Sequence, residues 1–192
     1  AMDCPRRDPL RLLKQKTGSI FTSLGFFEVI NYSFVTEKHC DMVGLTVDDP
    51  RRQSVKLLNP LTEEQAVMRT MLLPGMLENI RRNISFQQTD NRLVEIGKVF
   101  RSSGKDELPE ERYQLCAVIS GARYPNSSPL YFSDDRSDIY DIKGTAENLF
   151  QTLRLRGKSG TINFLADPEH VQPYAEPAFT IRIMDGEEQL GS

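Results

Sequence analysis

The sequence is short of most things that announce a site. No stretch approaches the roughly 18 consecutive apolar residues of a membrane-spanning helix, and no leader pattern of a basic head and apolar body is present. No membrane role is therefore expected, and the cytoplasm is the expected location. Cysteine is scarce: three, at positions 4, 40 and 116, an odd number with no paired spacing. They read as free thiols of a reducing compartment rather than a disulfide framework. Histidine is scarcer, with only His39 and His170. Cys40 adjoins His39, but neighbours on a helix point to different faces, so the pair does not make a metal site, and no metal is expected. No P-loop, G-x-G-x-x-G or G-x-S-x-G occurs. There is no basic excess either. The net charge is −3 and the pI about 5.5, whereas a domain built mainly to grip nucleic acid is usually basic.

What is present describes an ordinary globular chain of 192 residues, 27% charged and 39% hydrophobic. Such a length supports one domain that buries about 70% of its unfolded surface. Asp8-Pro9 is an N-cap followed by proline at the first helical position. Leu10, Leu13, Thr17, Ile20 and Leu24 then recur at three, four, three and four, the narrow seam of a helix that packs lengthwise on another. Gly25 is placed to close this helix. The spacing alone leaves two readings open: a helix lying on its own sheet, or one facing a partner.

The most organised stretch runs from Asn59 to Asn83. Asn59-Pro60 is a turn pair that stops the short strand Val55–Leu58. Thr62 and Gln65 have capping-box spacing, which predicts a helical turn over Glu63-Glu64. Arg69 is a cation among apolar neighbours. Pro74-Gly75 opens a helix over 74–86, with Leu73, Leu77, Ile80 and Ile84 on one face.

Elsewhere, Phe26–Thr36 is rich in aromatic and β-branched residues and reads as one strand. Thr36 caps a short helix ending at Gly44. Arg92–Phe100 is a strand with Gly97 as a bulge position, and Tyr113–Ser120 is a nearly unbroken apolar strand, hence a central one. The two form a long hairpin across a charged connection. Asp138 begins a second long helix, with Ile139, Ile142, Ala146, Leu149 and Leu153 on one face and Gly157 at its end. Thr161–Ala166 and Ala178–Met184 are strands, and Asp185-Gly186 is a hairpin turn. The return strand stops short at Ser192, so 1–192 is expected to be a single domain cut from a longer chain. Hairpin-joined strands with helices between them predict an α+β fold with a mostly antiparallel sheet.

Side-chain chemistry is thin. Cys116 sits in an apolar strand, unsuited to a nucleophile. Glu107, Glu110 and Glu111 belong to a solvated loop. Arg6-Arg7, Arg81-Arg82 and Arg154–Lys158 could touch phosphates, but solvated faces are the plainer reading in an acidic chain.

Four pieces in order carry a family resemblance: GFFEVINYSF at 25–34, the Asn-Pro-Leu-Thr, Met-Arg-Thr and Leu-Leu-Pro-Gly run of 59–83, VEIGKVF at 94–100 and YDIKG at 140–144. Together they resemble the synthetase-like region of the bacterial phenylalanyl-tRNA synthetase β chain. The resemblance covers most of residues 8 to 150 and thins past 157. It implies a class II synthetase-like sheet flanked by helices. In class II enzymes a dimer helix leads to a Gly-aromatic-x-Glu-Val strand ending in proline; here Tyr32 takes the proline's place. A second motif reads Phe-Arg-x-Glu, where the arginine binds the α-phosphate as charge develops on it and the glutamate helps hold the substrate. Here Phe100-Arg101 is followed by Ser102 and Ser103, so the glutamate is missing. No third motif ending in Glu-Arg occurs.

The resemblance therefore implies a non-catalytic copy of the catalytic fold. It would have no catalytic residue and no cofactor of its own, and it would pack on the α chain in an (αβ)₂ enzyme that uses ATP and Mg2+ to attach phenylalanine to tRNA(Phe). The seam from Leu10 to Leu24 would face the α chain, in a helix bundle at the centre of the assembly. tRNA(Phe) would be met through the whole enzyme. Arg69 has a catalytic-chain counterpart near an active site; the plainer reading is a buried arginine, paired to a carboxylate, that fixes the turn before Leu72-Leu73-Pro74. Two alternatives remain: an active adenylate-forming enzyme whose third motif lies further on, and a tRNA-contacting module.

Overall fold

A computed structural model describes residues 8–104, 107–125, 127–128, 130–155, 157–158, 160–166 and 171–192. Cys4, Arg6, Arg7, Arg156 and His170, singled out above, lie outside the described residues. The fold is α+β, with four helices and eight strands among the described residues. Contacts divide the chain into two compact units.

In the first unit (8–30, 79–96 and 115–154 among the described residues) the sequence signals act where they stand. Helix α1 spans Pro9–Ser23. The Asp8 carboxylate accepts a hydrogen bond from the Leu10 N–H at 3.0 Å, which satisfies one open donor of the first turn. Gly25 follows at φ +82°, a left-handed conformation that glycine adopts without steric cost. The reversal sets Phe26 against Phe21, edge to face with centroids 5.1 Å apart. Phe21, Phe26 and Val94 form the core, joined by Leu24, Ala117, Ile119, Ile142 and Leu149.

Strand β1, Phe27–Glu28, lies parallel to β4, Asn91–Arg101, with Phe27 opposite Leu93. Helix α4, Ile139–Leu153, starts from a complete capping box between Asp138 and Asp141. It ends earlier than Gly157 suggested, because Arg154 itself takes the left-handed cap at φ 53° and donates its N–H to Phe150 and Gln151. The loop after β5 (Glu110–Ser120) is drawn in tightly: a Cβ on Gly121 would collide with the Asp90 carboxylate.

The second unit (31–78, 97–114 and 155–192, the described residues of each) holds the short pair β2, Phe34–Val35, and β3, Val67–Met68, antiparallel to each other. It also holds α2, Lys38–Met42, and the meander of β6, Ile162–Ala166, β7, Ile181–Asp185, and β8, Glu188–Gly191. Helix α3, Leu73–Ser85, β4 and β5 contribute residues to both units.

Several expectations are corrected. Phe26–Thr36 is not one strand. It supplies β1 to one sheet and β2 to another, and Ile30 and Tyr32 between them are exposed. Val55–Leu58 makes only an isolated bridge from Lys56 to Val67. The strand expected over Ala178–Met184 begins at Ile181, because Pro177–Phe179 forms a 3-10 turn. Strand β4, not β5, is central in the order β1-β4-β5, and β4 carries the buried residues. The apolar run of β5 is not deeply covered, with Tyr113 and Leu115 exposed, so an apolar run by itself reports neither burial nor the number of hydrogen-bonded neighbours. On α3 the buried residues are Pro74 and Met76, while Leu77 and Ile84 of the expected face are exposed.

Candidate functional site

The Asn59–Asn83 segment builds its geometry around one arginine of the second unit. Asn59 and Pro60 turn the chain at the surface, with Leu58 and Leu61 exposed beside them. Glu63–Gln65 forms the expected turn as 3-10 helix, closed by Gln65 N–H to the Thr62 carbonyl rather than by the Thr62 side chain. The chain then dives inward. Val67 is buried, and so is Arg69, at 6% exposure.

Two segments converge on Arg69, 31–33 and 97–100. Its Nε donates to the Lys98 carbonyl at 2.9 Å and Nη1 to the Asn31 carbonyl at 3.4 Å. Its own N–H donates to Ser33, and its carbonyl accepts from Phe100. Gly97, where the sequence suggested a bulge, makes room for this: a Cβ there would collide with the guanidinium. The charged guanidinium strengthens each of these hydrogen bonds to main-chain carbonyls, which fastens the turn before Leu72-Leu73-Pro74. At Gly75, by contrast, a Cβ would only come into contact with the Asn31 side chain, at 3.4 Å.

A cleft of about 640 Å³ opens beside Arg69, lined by Arg52, Lys56, Thr70, Ser102 and Ser103 among others. Its cations are already matched. Arg52 bonds Asp41 at 2.7 Å and the Leu45 and Thr46 carbonyls, and Lys56 pairs with Glu37 at 3.0 Å. His39 lies 3.4 Å from Glu78. The Cys40 thiol is pushed up by burial, which the Arg52 charge only partly offsets, so it is a poor nucleophile. Arg101 ends β4 in an exposed position, with Ser102 half-buried and Ser103 exposed behind it.

This donor set does not fit a magnesium nucleotide. A hydroxyl at Ser103 cannot supply a carboxylate, Glu37 is engaged by Lys56, and Arg69 faces carbonyls. Among the described residues, no group of three His, Cys, Asp or Glu stands close enough to hold a metal ion.

The α1 seam divides along its length. Thr17 and Ile20 are 6% and 9% exposed, and Leu24 packs on the Phe21–Phe26–Val94 core. Leu10 and Leu13 are 41% and 44% exposed. Residues 17, 20 and 24 thus serve the chain's own unit, which corrects their reading as partner-facing, whereas the same stripe runs bare through the first turns. Tyr32 is 78% exposed on the link between β1 and β2.

Sequence reasoning missed the Asp49–Arg51 pair. Arg51 Nη2 meets Asp49 at 2.6 Å, and Nη1 reaches Gln172 at 2.7 Å, which fastens the segment after β6 to the 3-10 turn Pro50–Arg52. Asp49-Pro50 was a readable N-cap signal; the remote partner Gln172 left no local trace. Missed too was the anchoring of the α4 start, where Arg123 donates one hydrogen bond to Asp138 and two to Asp141.

Comparison with known proteins agrees along the whole chain. Residues 2–192 match the family described as phenylalanyl tRNA synthetase beta chain CLM domain. The phenylalanine–tRNA ligase beta subunit of Desulfotalea psychrophila is 44% identical over all of this chain, which spans 24% of that protein's length. The corresponding subunit of Geobacter metallireducens is 36% identical over 94% of this chain and 22% of its own length. In structure, a pyrrolysyl-tRNA synthetase of Desulfitobacterium hafniense superposes with a TM-score of 0.69 at 19% identity, covering 96% of this chain and 58% of that one. The last likeness speaks for the fold alone: a class II synthetase-like arrangement. Among the described residues, no helix is long and apolar enough to cross a membrane.

Proposed function

Because the chain belongs to the family of phenylalanyl-tRNA synthetase β-chain CLM domains, we propose that it is a synthetase-like module that does no chemistry itself and packs on the catalytic α chain. The whole enzyme would be an (αβ)₂ ligase that uses ATP and Mg2+ to join phenylalanine to tRNA(Phe) in the cytoplasm. The observation that carries the reading is the end of β4, where Ser103 stands in place of the expected glutamate beside an exposed Arg101. An adenylate-forming site needs charge aimed at the α-phosphate and a carboxylate for the substrate. Here the cations of the nearby cleft are tied to the protein's own acceptors.

The partner-facing surface on this reading is the first two turns of α1, through Leu10 and Leu13. Single exposed leucines are common; this pair is notable because it prolongs a stripe whose other half is core. Isothermal titration calorimetry on the chain should give no saturable ATP or phenylalanine binding in the micromolar range, and micromolar binding would end the reading. Co-expression with the α chain followed by sizing should give a stable complex.

A further inference from the structure

Helix α4 carries a glycine that its own chain does not explain. Gly144 lies in the middle of Ile139–Leu153. A Cβ placed on it would meet nothing within 4 Å among the described residues. A helix interior disfavours glycine more than any residue but proline, because ordering its backbone costs the most entropy. Every other glycine has a reason inside the chain, either a left-handed φ or a neighbour within 4 Å of where its Cβ would stand. Alanine would serve α4 better. What glycine offers in its place is room for a close approach to the helix backbone from outside.

The surface around Gly144 has the character of a contact. Tyr140, Gly144, Asn148 and Gln151 follow at spacings of four, four and three and share one face. All four are exposed, Tyr140 at 75%. Ile142 and Leu149, on the opposite side of the helix, join the core. The charges of α4 are matched within the unit: Arg123 bonds Asp141, and Lys143 pairs with Glu147. The outer face is thus neutral, with one large aromatic a turn away from a gap. Interface centres are likewise poor in charge and rich in tyrosine.

The length of the relatives bears on the occupant. This chain spans 24% and 22% of two of them, so most of such a subunit lies outside it. A neutral face has little with which to steer a separate molecule. A tethered segment needs no steering, since its effective concentration is already high. We propose that the outer face of α4 is covered by another part of the same β subunit, an uncharged segment packed backbone-close over Gly144 with a recess for the Tyr140 ring.

The inference does not depend on α1 facing the α chain, so either can fail alone. In the 192-residue chain, Gly144→Ala should raise Tm by about 2–4 °C, as relief of a helix-interior glycine does in a chain of this size. No rise would give Gly144 an internal role and overturn the premise. In the full-length β subunit assembled with its α chain, Tyr140→p-benzoylphenylalanine is irradiated, and the products are run on a denaturing gel and digested. The expected product keeps the mass of one β subunit and joins residue 140 to a peptide outside 1–192. Adding Gly144→Leu should cut its yield roughly tenfold, because overpacking expels the covering segment, with circular dichroism checking that the subunit stays folded. A heavier product that contains the α chain or a second β chain, a link back into 1–192, or no link at all would overturn the inference. So would an undiminished yield with Gly144→Leu.

Discussion

The two halves of α1 share one spacing and meet different fates. In the second half, Thr17, Ile20 and Phe21 lie in the core with Phe26 and Val94; in the first half, Leu10 and Leu13 meet solvent. Helical periodicity states which residues share a face. It does not state where the covering element stops, and that boundary is what leaves one end of a core helix exposed. Two arginines of the second unit, Arg69 and Arg101, make the same point. The first is buried and holds Asn31, Lys98 and its own turn together, while the second ends a strand in solvent.

These contrasts can be broken by measurement. Phe21→Ala should cost about 3–5 kcal/mol, the range for emptying a buried aromatic site, as read by urea denaturation. A cost below 1 kcal/mol would mean that this half of the helix is not core. Arg69→Ala should cost about 3 kcal/mol, because it strands buried carbonyls that now accept charge-assisted hydrogen bonds. Gly97→Ala should cost a similar amount by driving a methyl into the guanidinium, and in the Arg69→Ala background its penalty should shrink, a coupling that independent sites would not show.

The other members of each pair should be nearly silent. Leu13→Ala and Arg101→Ala should each change stability by less than about 0.5 kcal/mol, as surface substitutions do. A large loss on Arg101→Ala would instead give that residue an unrecognised structural partner.

A smaller effect concerns acid. The side-chain hydrogen bond from Arg51 holds the Asp49 carboxyl down to about 2. An unfolded aspartate titrates near 3.9. A depressed folded value means the contribution is whole above roughly pH 4 and disappears as pH falls through about 2. Asp49→Asn should therefore lower stability at neutral pH and flatten its loss across that window, so that variant and native chain converge near pH 2; an unchanged neutral stability and acid limb would show the pair to be inert. Last, burial pushes the Cys116 thiol up to about 12, helped by the Glu95 charge. Cys116 should resist alkylation at neutral pH until the chain is unfolded.

Much of the fold was legible because its signals are local. Asp8-Pro9 and Gly25 bracket α1, Asp138 opens α4, and Asp185-Gly186 turns β7 into β8. What escaped depends on distant partners. Phe26–Thr36 reads as one strand because its residues suit a sheet throughout, yet only Phe27–Glu28 finds β4 and only Phe34–Val35 finds β3. The serines that follow Arg101 were visible in the sequence; the pairing of Arg52 with Asp41 and of Lys56 with Glu37 was not.

By itself the sequence determined the helix starts, the turn residues and the family pattern, since each is a matter of residue type and spacing over a few positions. Only the tertiary structure decided which half of a uniform leucine stripe is covered, which strand is central and which arginine is buried. Burial and hydrogen-bond partnership are properties of residues far apart in the chain, and no short-range pattern encodes where another element ends.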